Sequence, residues 1–401
     1  MRVLICHNYY GRRSGEGSVV EREAALLQEQ GHSVSIFSYD NQDAHAMGRV
    51  ELGLRALYSR QTGRDLKSLL EEQSFDVAHV HNTWLLMSPT VYRDLWRAGL
   101  PVVKTVHNFR WLCPVATFFR DGQRCHDCLE HPAGLLNAIV HRCYEGNLAG
   151  SAVAAGRLFI HRDLMRVYWR YIDVIVLQNE FVRQKLIENG FPADRMEIKG
   201  NFLRRVERVE AERGDHAVFF GRLETAKGLG TLLDAFESIE VPLHIFGQGP
   251  LEDWVSEEVQ RRFGENGRVR FEGFAPRDKL VRTIASSRAV IFPSEWYESY
   301  PISIIEAQAH SKPVIASDIG SMPTIVKNEQ NGLLFEAGNP AALTECVLRL
   351  WADNELQVKL ERGALEAYES NMSPEKNYDQ LLAIYQRAIE SRKIQMEEVS
   401  L

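Results

Sequence analysis

The chain is 401 residues long, 45% hydrophobic and 25% charged, with a formal net charge of −7 at pH 7. Such a length suits two cores and such a composition a soluble globular class, while the acidic balance excludes a general nucleic-acid binder. The amino-terminal MRVLICHNYYGRR lacks the apolar core of a secretion signal and no apolar run is long enough to span a bilayer, so a cytoplasmic location is expected.

In chain order, Arg2-Val3-Leu4-Ile5-Cys6 reads as a first strand, followed by a polar loop with Gly15-Glu16-Gly17 and a helix from about Ser18 to Gln30 that stops at Gly31. The loop glycines let backbone approach a ligand phosphate, or serve the turn alone. They do not form a Gly-x-Gly-x-x-Gly fingerprint, and no acidic ribose ligand follows, which argues against a dinucleotide dehydrogenase. Strands follow at Val34–Phe37, Val77–Val80, Val102–Val106 and Ile172–Leu177. His79 falls at a packed position, whereas His81 with Asn82, and His107 with Asn108, fall at strand ends where an imidazole could face a ligand.

Between Pro101 and Arg170 nine Lys/Arg stand against five Asp/Glu. This local excess fits either scattered surface arginines or a patch for anionic lipid, with peripheral contact at the inner membrane face. Cys113, Cys125, Cys128 and Cys143 gather in the same stretch, and the Cys125-His126-Asp127-Cys128 turn is half of a metal knuckle. Four clustered thiols in a reducing compartment favour a structural zinc; labile disulfides and unligated thiols are the alternatives.

A charged stretch from Arg204 to Asp215 reads as a linker, and a second α/β series starts at Ala217–Phe220. In GRLETAKGLG, Arg222 and Lys227 lie between that strand and the helix from Leu229 to Ile239, as a fork and a point charge suited to a diphosphate. Strands at Leu243–Phe246 and Val269–Phe271 follow. The segment SEWYESYPISIIEAQA then lies between Ala289–Phe292 and Pro313–Ala316. Pro301 suits the first helical position, the amides around Ser299, Tyr300 and Ser303 suit an anion, and Glu298 stands at the mouth with Glu306 about two turns inside the helix start. A last helix spans about Pro374 to Arg392, capped by Ser373. The expected architecture is two Rossmann-like doubly wound domains facing one another, 1–203 and 204–373, with a terminal helix at 374–401.

Taken in order, the Gly15–Gly17 loop, DVAHVHN, TVHNFRWLCP, GRLETAKGLGTLLDAF, the Glu298/Glu306 segment, NEQNGLLFEAGNP and MSPEKNYDQLLAIY make the chain resemble the retaining glycosyltransferases of family four, which have the GT-B fold. The resemblance implies that Arg222 and Lys227 bind the donor diphosphate, Glu306 the nucleotide ribose, and Glu298 and His107 the transferred sugar. Gly15 and Gly17 would close over the diphosphate. It also implies a UDP- or GDP-sugar donor, no catalytic metal, a glycan or lipid-linked acceptor held from Tyr9 to Arg13 and around Asn108 to Phe119, and a last helix packing back on the first domain. Ser299-Tyr300-Pro301 departs from the glycine and phenylalanine common after the first glutamate. A nucleotide-sugar epimerase of the same fold and a non-enzymatic nucleotide-sugar sensor are the rival readings.

Overall fold

The computed structural model describes residues 1–11, 14–131, 133–204, 209 and 211–400, the side chains of 398–400 excepted. Part of the expected linker, at residues 205–208 and 210, and Arg12 and Arg13 of the expected acceptor loop lie outside the described residues. The chain forms two compact units: Met1–Phe118, Cys125–Gly200 and Glu375–Leu401 in one, Phe119–Arg124 and Asn201–Pro374 in the other.

The first unit is built on six parallel strands, β1 (Arg2–Tyr9), β2 (Ser33–Asp40), β3 (Val77–Val80), β4 (Val102–Val106), β5 (Val174–Leu177) and β6 (Met196–Ile198), in spatial order β2-β1-β3-β4-β5-β6. A parallel strand covered on both faces must be apolar on both, and Val3, Leu4, Ile5 and Cys6 are indeed fully buried. Helix α1 (Gly15–Glu29) lays Val20, Ala24 and Leu27 on Val3 and Ile5, and Leu381, Ile384, Tyr385 and Ala388 of the carboxy-terminal helix Pro374–Ser400 join the same cluster. The i, i+3, i+4, i+7 spacing of those four residues puts them on one helix face. Helix α1 starts three residues earlier than the sequence reading placed it, because Ser14 Oγ accepts the Gly17 N–H at 3.1 Å, a cap worth about 1 kcal/mol. Gly15, Glu16 and Gly17 therefore form the first helical turn rather than a loop ahead of it.

The second unit repeats the plan with β7 (Ala217–Phe220), β8 (Leu243–Phe246), β9 (Val269–Gly273), β10 (Ala289–Phe292), β11 (Val314–Ser317) and β12 (Gly332–Phe335), in order β9-β8-β7-β10-β11-β12. Its two cores follow from the two-residue period of a strand. Ala217, Phe219, Ile291 and Ile315 feed one cluster; Val218, Phe220, Val290, Phe292 and Val314 feed the other. Both sheets are doubly wound α/β layers, and in each the strand order reverses at one point, between β1 and β3 and between β7 and β10. Ligands of such sheets bind beyond the carboxyl ends of the strands at these points.

Candidate functional site

In the first unit the carboxyl edge of the sheet carries His7 and Asn8 on β1, His81 and Asn82 after β3, His107 and Asn108 after β4, and Gln178 after β5. Asn82 fastens two of these ends together, donating Nδ2 to Asn8 O at 2.6 Å. His81 does not face outward as its position suggested: it is fully buried, as is His79. His81 Nδ1 lies 2.8 Å from His107 Nε2, and Gln178 Nε2 lies 3.1 Å from His107 Nδ1.

Behind them, Glu23 of α1 is fully buried. Its Oε1 accepts from Lys199 Nζ at 2.6 Å, and its Oε2 is 3.5 Å from His81 Nε2 and 3.7 Å from His79 Nδ1. Burial, reinforced by neighbouring cationic side chains, holds His79, His81 and His107 well below the ordinary imidazole pKa, so all three are neutral. A neutral His81 has one N–H, and the carboxylate draws it to Nε2. His81 Nδ1 then accepts from His107 Nε2–H, which leaves His107 Nδ1 to accept from the Gln178 amide. Glu23 thus sets the tautomer of His107 through His81, and neither ring nitrogen of His107 is idle. Glu23, His79 and His81 bring three donor atoms within 4.8 Å of one another. Lys199 already neutralises Glu23, and His79 bonds Tyr385 OH and Thr105 Oγ1 at 2.9 and 2.7 Å, whereas Glu23 Oε2 and His81 Nε2 face each other at 3.5 Å, buried without a hydrogen-bond partner.

In the second unit, Gly228 is the junction from which α3 (Leu229–Glu237) begins, at φ +68°. A Cβ there would lie 1.9 Å from Pro293 O, so only glycine lets the Lys227 turn seat against the end of β10. That seating brings Lys227 Nζ to 2.5 Å from Glu298 Oε1, which also accepts from Ser294 Oγ at 2.9 Å and Trp296 Nε1 at 2.6 Å. The backbone of Glu298 is pinned as well, its carbonyl accepting from Ser321 Oγ at 2.5 Å. Lys227 also stands over the rings of Phe292 and Trp296, at 5.6 and 5.4 Å. Arg222 is exposed after β7, its Nε 3.4 Å from Glu224 Oε2.

Pro301 is the cap of α5 rather than its first residue, and α5 (Ile302–Ala309) places Glu306 about one turn in, not two. Glu306 is nearly buried and takes 2.8 Å from Arg277 Nη1, a residue at the start of α4 (Arg277–Ser286) that no local motif marks. Ser299 and Tyr300 are half-buried between these two carboxylates in sequence, and Asn201 Nδ2 donates to Tyr300 O at 2.9 Å. A hollow of about 320 Å³ opens at the ends of β7 and β8, lined by Gly221, Arg222, Gly247, Gln248, Phe274 and Leu280. Phe274 is 72% exposed there, an aromatic face available for stacking.

The four clustered cysteines are all in the first unit. Burial pushes the Cys128 thiol up to about 12, and the thiols of Cys113, Cys143 and Cys125 push the same way, so the four are electrostatic neighbours. Cys143 N–H donates to Ala138 O at 3.0 Å, and the backbone of Ala138 also contacts the Cys128 thiol.

Residues 204–367 match the family model for glycosyl transferases group 1, and residues 14–201 that for the glycosyl transferase 4-like domain. The chain is 28% identical over 177 residues to the O-antigen chain mannosyltransferase C of Escherichia coli, covering 44% of this chain and 47% of that one. Against the D-inositol 3-phosphate glycosyltransferase of Corynebacterium glutamicum it is 26% identical over 345 residues, 82% of this chain and 76% of that one. The match thus spans about half the length of the first of these relatives. Among solved structures, Anabaena HepE in complex with UDP superposes with a TM-score of 0.66 at 17% identity, over 100% of both chains.

Proposed function

We propose that this chain, which belongs to the GT-B glycosyl transferases with a 4-like first domain and a group 1 second domain, transfers a hexose-type sugar from a nucleotide diphosphate donor to a glycan or lipid-linked acceptor, retaining the anomeric configuration. The observation that carries this reading is the Lys227–Glu298 pair, fixed by Ser294, Trp296 and Ser321 at the carboxyl edge of the second sheet. A diphosphate arriving there competes for the ammonium and frees the carboxylate to hold a sugar hydroxyl, so one pair serves both ends of the bond to be broken. Arg222, Lys227 and the amides around Ser299 and Tyr300 stabilise the leaving diphosphate, in place of a metal. Glu306, steadied by Arg277, takes the ribose, and the hollow beside Phe274 takes the base. Attack comes from the same face, with the leaving phosphate helping to accept the acceptor proton.

On the acceptor side, His107 would take the sugar by exchanging its Gln178 partner for a hydroxyl, and Gly15 and Gly17, in the first turn of α1, are the candidates for the diphosphate. A groove of about 810 Å³ that includes Tyr10, Asn41, Trp84, Tyr144 and Asn147 accommodates a glycan. Among the described residues no helix is long and apolar enough to cross a membrane. Peripheral contact with an anionic bilayer would use Val50, Leu54, Leu136, Val140, Phe159 and Leu164, apolar and more than half exposed on three helical segments that each pack against the helix Leu148–Leu158. For the cysteines we propose a structural zinc, since a divalent cation would offset the mutual repulsion of neighbouring thiolates; metal analysis of protein purified without chelator checks it.

The donor test is thermal unfolding with UDP- and GDP-sugars. A true donor at a hundredfold excess over its Kd stabilises by about 2.7 kcal/mol, and Lys227→Ala removes most of that gain. Stabilisation by no nucleotide diphosphate sugar would overturn the reading. Conversion of the donor in the absence of acceptor would favour an epimerase instead.

A further inference from the structure

The first unit holds three cations around one cavity, none of them in ion-pair contact with a carboxylate among the described residues. Lys104 on β4 is 7% exposed and Arg157 on α2 (Leu148–Leu158) 4% exposed, and Arg110 is half-buried in the loop after β4. Among the described residues none of the three has a carboxylate oxygen within 4.0 Å. Lys104 Nζ donates to His81 O and stands 6.0 Å over Trp111. Arg157 Nη2 donates to Thr83 Oγ1 at 2.8 Å and Arg110 Nη1 to Pro114 O at 3.3 Å, and both guanidinium groups lie over Trp84, at 5.1 and 4.6 Å. The Nε atoms of both arginines are buried without a hydrogen-bond partner. All three line one cavity of about 20 Å³ together with His81, His107 and Asn108.

The one acid in its wall is Glu16, already engaged by Tyr10 OH at 3.2 Å and Asn108 Nδ2 at 3.5 Å. Burying cations beside carbonyls and ring faces is costly unless an anion completes the set. Glu16 is one carboxylate against three cations, which leaves the cavity short of negative charge that an anion from outside would supply. The cavity admits about one or two oxygen atoms and excludes a sugar ring, so what enters is the tip of an oxyanion group.

We propose that this cavity binds an oxyanion, a phosphate or carboxylate, carried by the acceptor, so that the acceptor is an anionic glycan or a phosphate-linked lipid rather than a neutral sugar. The assignment to the acceptor rests on the glycosyl-transfer reading; the oxyanion site does not. Lys104 and His81 link the cavity to the His81–His107 pair through one strand end, so an anion seated there also fixes the acceptor beside His107. Burial and the two arginines bring the Lys104 pKa down to about 7, with Glu16 opposing them; an added anion favours its charged form.

The probe is inorganic phosphate, titrated by calorimetry at constant ionic strength into the full chain saturated with UDP, which fills any diphosphate site elsewhere. Phosphate should bind, and Arg157→Gln and Lys104→Met should each weaken it at least tenfold while the UDP Kd stays within twofold. Arg110→Gln, at a half-buried position, carries the same test if the buried variants fail to fold. No binding of phosphate, or binding indifferent to the folded variants, overturns the site. Separate titrations with UDP-glucuronate and UDP-glucose decide the source. If the variants weaken UDP-glucuronate but not UDP-glucose, and phosphate competes with UDP-glucuronate, the oxyanion belongs to the donor and the acceptor assignment falls. If phosphate binds as expected but no nucleotide diphosphate sugar does, the site stands and the transferase reading falls.

Discussion

Glu23 has two oxygens and two separate tasks. Oε1 neutralises Lys199 at 2.6 Å, and Oε2 faces the imidazoles of His79 and His81. Removing the carboxylate leaves Lys199 buried at 3% exposure with only the Asn377 amide, 3.3 Å away. Breaking a buried pair on one side costs about 3–5 kcal/mol, so Glu23→Ala should lower the unfolding free energy by that order in a denaturant titration. Glu23→Gln keeps an acceptor for Lys199 and should cost less. The two variants separate the tasks, because only the charge biases His81 toward its Nε2–H tautomer. In Glu23→Gln, nitrogen-15 shifts of His107 should report a mixture of tautomers although the fold is kept. A single unchanged tautomer would remove Glu23 from the chain that orients His107.

The element that most tightly couples backbone to chemistry is the turn from β7 into α3. Gly228 has a positive φ and lies against Pro293 O, so the Lys227 turn and the end of β10 are in register only because there is no Cβ between them. Gly228→Ala combines left-handed strain of about 1–3 kcal/mol with a clash that must move backbone. It should destabilise the protein by more than 3 kcal/mol in thermal unfolding and weaken UDP binding in calorimetry, whereas Gly230→Ala, with nothing within 4 Å of its Cβ, should be neutral or slightly stabilising. Elements with a clear local signal were legible from the sequence: the apolar strands β1, β4, β7 and β10, and α5 after Pro301. Strand β6 is only three residues, too short for a two-residue period to show, and β12 starts at a glycine. Arg277, Ser321 and Lys199 carry no local mark, since each meets its carboxylate or carbonyl from 23 to 176 residues away. The burial of His81 was not legible, because alternation along a strand says which face a residue takes, but not that a helix bearing Glu23 packs behind it.

For the whole molecule, the distribution of buried imidazoles makes the two units unequal toward acid. His7, His79, His81, His107 and His161 all belong to the first unit, and burial depresses every one, His7 to about 3 and His161 to about 4. In the second unit His216 is lowered as well, by partial burial. A histidine whose folded pKa lies below its unfolded value near 6.5 takes up its proton first in the unfolded chain. Its contribution is therefore intact above about pH 6.5 and is lost as pH falls toward 3–4, by up to about 1.4 kcal/mol per pH unit for each such group. Lys104 adds no slope in that window, because below about 7 it is protonated in both states. Glu16 and Asp173 work the other way: burial raises their pKa, so protonation relieves them as pH falls, but they are two groups against five. Stability of the first unit should thus fall steeply between pH 6 and 4 while the second holds. Hydrogen exchange read by mass spectrometry at stepwise lower pH, corrected for intrinsic rates, checks this: protection should disappear first from peptides containing β3 and β4 and persist in those containing β7 and β10. Simultaneous loss, or loss from the second unit first, would mean that the buried histidines are protonated in the folded chain and that the neutral network orienting His107 does not exist as drawn.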